Sequence, residues 1–196
     1  MRQFLLFCVL VFFFGCNTWK ESLVEKGNKE DAIQNAILDF SHTKKLFKQD
    51  SVFYVGVEDT LYSLKLVSES EYAHQWVPDK PYKDIIGISI IGDEETLYHK
   101  KDLEIGSSGK IPSRYQVVSG KLFLWHDDKY PLTKELVNIL ERYNLIRSDD
   151  VELFFITDDG KKGASYYFCR NDLSNYKKEI STIAMGYDVP ELKCSK

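Results

Sequence analysis

Residues 85–91 read Ile85-Ile86-Gly87-Ile88-Ser89-Ile90-Ile91, and five of the seven are isoleucine. A side chain branched at Cβ loses rotamer freedom in a helix but packs well on a pleated surface. Successive strand residues point to opposite faces, so this run is apolar on both. That pattern predicts a central strand, bounded by Gly92-Asp93, and commits the fold to a sheet. Ahead of it, Asn28 with Asp31 three residues later is an N-cap signature. Ile33, Ala36, Ile37, Phe40 and Phe47 then recur at helical spacing, predicting an amphipathic helix that ends near Gln49-Asp50. Val52, Tyr54 and Val57, and after the break at 58–60 Leu61, Leu64 and Leu66, predict a hairpin. A shorter strand is expected over residues 96–99.

The second half continues in this manner. Residues 115–118 and 122–125 flank Ser119-Gly120 and predict a hairpin with glycine at its turn. Pro131 opens a helix lined by Leu132, Leu136, Val137, Leu140 and Tyr143, with Asn144 suited to the left-handed position at its end. A third hairpin is expected between residues 151–157 and 164–169, followed by a short helix over 172–180. Strands that come mainly as hairpins make the sheet mainly antiparallel. The fold class expected is α+β, with the N-terminal helix and the helix near 131–143 packed on one face of the sheet.

The chain opens with Arg2 and an apolar run over residues 4–14. That run is well short of the ~20 residues that a membrane-spanning helix needs, so it predicts an export signal. The run closes on Phe13-Phe14-Gly15-Cys16, which resembles the cleavage box of bacterial lipoproteins. The resemblance implies that residues 1–15 are removed as a signal peptide and that Cys16 becomes the acylated first residue, carrying palmitate-type chains. One acyl chain holds a protein marginally and two or more hold it firmly, at ~0.8 kcal/mol per buried methylene. Residues 16–29 then form the lipidated cysteine and a polar, flexible linker, and 30–196 a single globular domain. The place implied is the bacterial cell envelope, with the outer membrane favoured over the inner and the domain exported.

The formal net charge is −4, with lysine and arginine interspersed among acidic residues, which argues against a nucleic-acid footprint. Of the four cysteines, Cys8 leaves with the signal and Cys16 is taken by lipid. Cys169 and Cys194 remain as an even pair in an oxidising space. One expectation is a bridge that pins the C-terminal tail onto a strand and stabilises by ~3 kcal/mol. The other is two thiols, one buried and one exposed.

Chemistry-bearing motifs are few. Gly106-Ser107-Ser108-Gly109-Lys110 lacks the glycine spacing of a phosphate loop and the alternate glycines of a nucleophile elbow. His42, His74, His99 and His126 stand far apart, so no metal site and no cofactor are expected. Asp158-Asp159-Gly160 has turn chemistry and lacks the alternating ligands of a calcium loop. Trp125-His126-Asp127-Asp128 places a histidine beside carboxylates at a strand end. On an extended chain His126 and Asp128 share a face, and the alternative is a solvated turn leading to Pro131. Pro78 and Pro81 stiffen a predicted loop that would present Trp76 and Tyr82 together as a binding platform, unless both rings cap the core. These features point to a noncatalytic, membrane-anchored lipoprotein that binds a protein or peptide partner, one form of which is self-protection against a secreted toxin. The alternative is an envelope hydrolase centred on His126 and Asp128.

Overall fold

The computed structural model describes residues 27–69, 74–92, 98–100, 103, 111–147, 162–181 and 189–194. The segment with Cys16 and the 151–157 arm of the expected third hairpin lie outside the described residues.

Helix α1 (Lys29–His42) begins where the sequence places it. The Asn28 side chain accepts from the amides of Glu30 and Asp31, and Asp31 Oδ2 accepts the Asn28 N–H at 2.8 Å. Two of the amides that open every helix are thereby satisfied. The helix stops at His42, short of the predicted end near Gln49-Asp50, because Thr43 leaves helical geometry and its N–H turns back to the Phe40 carbonyl. One further turn, α2 (Lys44–Phe47), succeeds it. A straight helix would carry Phe47 ~10 Å beyond Phe40 along its axis. The break instead folds Phe47 onto Phe53 and Phe123, with ring centroids 6.1 and 6.4 Å apart.

The strands are β1 (Val52–Glu58), β2 (Leu61–Glu69), β3 (His74–Tyr82), β4 (Ile85–Gly92), β5 (Tyr98–His99), β6 (Arg114–Val118), β7 (Lys121–Trp125), β8 (Ile146–Arg147), β9 (Gly163–Cys169) and β10 (Asp172–Ser181). Six of them form one sheet in the order β10-β9-β4-β1-β7-β6. The isoleucine strand β4 lies inside it between β9 and β1, as its two apolar faces require. All neighbours are antiparallel except β1 and β7, which run parallel with Val52 opposite Leu122. The fold is α+β, and the sheet is mixed.

Three expectations are corrected by this topology. The strands β1 and β2 do not form a hairpin: β1 pairs with β4 and β7, while β2 pairs with β3 in a separate two-stranded sheet. Val52, Phe53 and Val55 are buried and Tyr54 is half-buried, so β1 is an interior strand with both edges occupied. Residues 172–180 form a strand, β10, not a helix. All seven residues of β9 are buried, and an unpaired β9 edge would leave buried amides and carbonyls unsatisfied. Pairing with β10 satisfies them, through a ladder that shifts register between Asp172 and Tyr176.

The third correction concerns the layers. Helix α1 buries Ile33, Ile37 and Phe40 against Phe53, Val55, Ile86, Ile88, Ile90, Phe123, Tyr166 and Phe168. The second long helix, α3 (Lys134–Arg142), buries Leu136, Ile139 and Leu140 against Val52, Leu122 and Leu124. Residues 52 and 53, and 122 and 123, point to opposite faces of their strands. The two helices therefore cover opposite faces of the sheet. Helix α3 starts three residues after Pro131, capped by Thr133, whose Oγ1 accepts the Leu136 N–H. Asn144 comes after it with a φ of 57°, in the left-handed region.

Away from α3, the same face is closed by the C-terminal tail. Cys169 and Cys194 are joined by a disulfide with Cα atoms 5.3 Å apart. Half-buried Val189 and Leu192 lie on a cluster of Leu61, Ile85 and Tyr167. Two half-buried aliphatic side chains contribute ~1–3 kcal/mol, whereas ordering six residues costs ~6–12 kcal/mol of backbone entropy. Among the described residues the tail's own contacts fall short of that cost, and the covalent bond adds the link that they lack.

Candidate functional site: the end of β7

Strand β7 runs out at Trp125, and the next five residues turn back on themselves. The Asp127 N–H donates to Ser113 Oγ and the Ser113 hydroxyl donates to the Asp127 carbonyl, both at 2.8 Å. The Asp127 carboxylate accepts the Lys129 N–H at 3.1 Å and meets the Lys29 ammonium at 3.3 Å. Burial pushes this carboxyl upward, but the Lys129 amide and Lys29 outweigh it, leaving it below the usual carboxylate range. Asp127 therefore fastens the start of α1 to the end of the sheet.

His126 and Asp128 share a face, with Nε2 2.7 Å from Asp128 Oδ1. Nδ1 lies 2.7 Å from the Ile111 carbonyl. With Asp128 ionised both partners only accept, so the two contacts favour the imidazolium, in which both ring nitrogens donate. The Asp128 hydrogen bond, and after it the Ile111 carbonyl, raise its pKa above the ordinary histidine value. A general base needs a free lone pair, and this ring has none while both bonds stand. The nearby Ser113 hydroxyl is likewise committed to backbone. The arrangement is a charged clasp between β7 and residue 111.

Beside it, β6 places Arg114 opposite Trp125. The guanidinium carbon lies 4.2 Å from the Tyr130 ring centroid and 6.0 Å from that of Trp125. Trp125 is buried, but Tyr130 is 41% exposed. The result is a solvent-facing tyrosine with an arginine over its ring, two residues along from the exposed Asp128 carboxylate. Arg114 and Tyr130 are 16 positions apart and carry no motif; only the β6–β7 pairing brings them together.

The other predicted pair is dispersed. Residues 74–82 are a strand, not a proline-stiffened loop, and Pro78 and Pro81 are accommodated because β3 pairs with β2 alone among the described residues. Trp76 stands opposite Leu66 and Tyr82 opposite Leu61. Six strand residues separate their backbones by ~20 Å, too far for one platform. The half-buried Tyr82 packs on the Leu61, Ile85 and Tyr167 cluster instead.

A second polar cluster has no signal in the sequence. Asp39 on α1 accepts from the Tyr166 hydroxyl at 2.9 Å, the Tyr176 hydroxyl at 3.1 Å and Lys178 Nζ at 2.5 Å. Burial raises the Asp39 carboxyl, yet Lys178 and the two phenols hold it below the usual range. Burial and the Asp39 charge push Tyr176 up to about 12. Every acceptor is matched to a donor within the cluster, which docks α1 onto β9 and β10. Just past β9, Arg170 holds two turns through the Lys83 carbonyl and Asp59.

Among the described residues, no three His, Cys, Asp or Glu side chains gather as metal ligands would. No described helix is long and apolar enough to cross a membrane. No protein-family model matches the chain, and no curated protein or solved structure is similar to it.

Proposed function

We propose that the protein is a lipid-anchored envelope lipoprotein that binds a protein or peptide partner and carries out no catalysis. The observation that carries the proposal is the cysteine arrangement. Cys169 and Cys194 are consumed by a disulfide, a bond that persists in oxidising compartments. Cys16 has no part in that bond and ends an apolar export-type run in the sequence, where acylation would anchor the chain. Residues 16–29 would then supply the lipidated cysteine and the linker, up to the capped start of α1. The outer membrane is the favoured location.

The partner face is the end of β7. Tyrosine and arginine are enriched among residues that dominate binding energy. The Arg114 guanidinium lies over the Tyr130 ring, a contact that reduces the side-chain freedom left to lose when a partner covers it. A self-protective role against a toxin is one form of such binding. In the test, cells are labelled with a palmitate analogue and fractionated. Wild-type protein takes up label and sediments with the envelope, and Cys16→Ser loses both properties. A Cys16→Ser protein that still partitions with the envelope, beside an unlabelled wild type, overturns the anchor. Affinity capture from detergent-solubilised envelopes should recover a specific protein with wild type and at least tenfold less with Tyr130→Ala. Equal recovery with both overturns the assignment of the face.

A further inference from the structure

We propose that residues 189–194 are a strap under thiol control: reduction of the Cys169–Cys194 bond releases the tail and uncovers an apolar surface of Leu61, Ile85 and Tyr167, while the six-stranded sheet stays folded. The strap has no regular secondary structure. It is held by the disulfide, by the side chains of Val189 and Leu192, and by a hydrogen bond from Asn175 Nδ2 to the Lys193 carbonyl at 3.0 Å. Among the described residues the noncovalent contacts are too few to offset the ordering of six residues, so the bond is what holds the tail down. The sheet beneath does not depend on it in the same way. Cys169 ends a strand paired on both edges, to β4 and to β10.

The two sulfurs are not equivalent toward a reductant. Cys169 is fully buried, whereas Cys194 is half-buried near the end of the tail. Exchange requires a thiolate to approach the sulfur that it attacks, and the approachable one is Cys194. With a dithiol as reductant, its first thiolate bonds to Cys194 Sγ while the S–S bond breaks and the electron pair leaves on Cys169 Sγ, which takes up a proton. The second thiol then displaces Cys194, which leaves as a thiol, and the dithiol is oxidised to its own disulfide. The oxidised state buries the three apolar side chains at 0–4% exposure, and the reduced state exposes the part of them that Val189, Leu192 and Cys194 cover, with Tyr82 still packed on the cluster. This device rests on the tail geometry alone and is independent of the anchor and of the partner face.

The test uses the full chain in detergent, with dithiothreitol as the dithiol under otherwise native conditions. Reduction should speed carboxypeptidase trimming past Leu192 at least tenfold and make Cys169, which has no thiol while bonded, open to alkylation under native conditions, with an unchanged far-ultraviolet circular dichroism spectrum. Cys194→Ser should show the same fast trimming without reductant. Trimming at the oxidised rate in the reduced protein overturns the proposal, because the tail then stays down unbonded. Loss of the circular dichroism signal on reduction also overturns it, because the bond would then support the whole fold. If Cys194→Ser fails to fold, the reduced wild type still decides between these outcomes.

Discussion

At the scale of single residues, His126 shows how two hydrogen bonds set a protonation state. Its folded pKa lies above the unfolded value of ~6.5. Such a group stabilises fully below the unfolded pKa, and its contribution is lost as pH rises through the folded value. His126→Ala should therefore lower the denaturation midpoint more at pH 5.5 than at pH 9, and an imidazole titration followed by NMR should have its midpoint above 6.5. Equal losses at both pH values would contradict the clasp. The spacing of two between His126 and Asp128 is legible in the sequence, although the pair forms in the turn beyond β7 and not on an extended strand. The Ile111 carbonyl on the other nitrogen is not, because it comes from 15 residues away. That second bond turns a candidate base into a committed donor.

Secondary-structure elements are legible where their signals are local. The capping box at Asn28 is complete within four residues, and the Asn28→Ala variant should lose about 1 kcal/mol in urea unfolding with an unchanged slope. The β6–β7 turn is equally local: Ser119 and Gly120 have φ values of 49° and 77°, both positive, as a two-residue turn matched to strand twist requires. The sequence predicts a short helix over residues 172–180, where the structure has β10. In the fold the Asp172 carboxylate does accept the Ser174 N–H, a local turn bond at 3.1 Å. The segment is nevertheless extended, because the buried β9 edge supplies partners that an isolated stretch of chain lacks. Edge strands tolerate this composition, and Lys177 and Glu179 face outward on β10.

For the molecule as a whole, stability is centred on the α1 face of the sheet. The Phe123 ring is fully buried, 5.0 Å from Phe53 and 6.1 Å from Phe40. Phe123→Ala should cost about 3–5 kcal/mol, read as a lowered denaturant midpoint. Tyr130→Ala, at an exposed position, should stay within about 0.5 kcal/mol, so any binding defect in that variant reflects the surface and not the fold. The amino-acid order alone suffices for the buried β4 strand, the two long helices, the β6–β7 turn and the α+β class. Each of these arises from backbone preference or periodicity within a few neighbouring residues. The folded chain had to settle that β1 lies between β4 and β7, that the helices cover opposite faces, that residues 172–181 extend β9, and that Asp39 meets Lys178 or Arg114 meets Tyr130. Those outcomes depend on which distant segment satisfies each buried edge and face, and no local pattern encodes that competition.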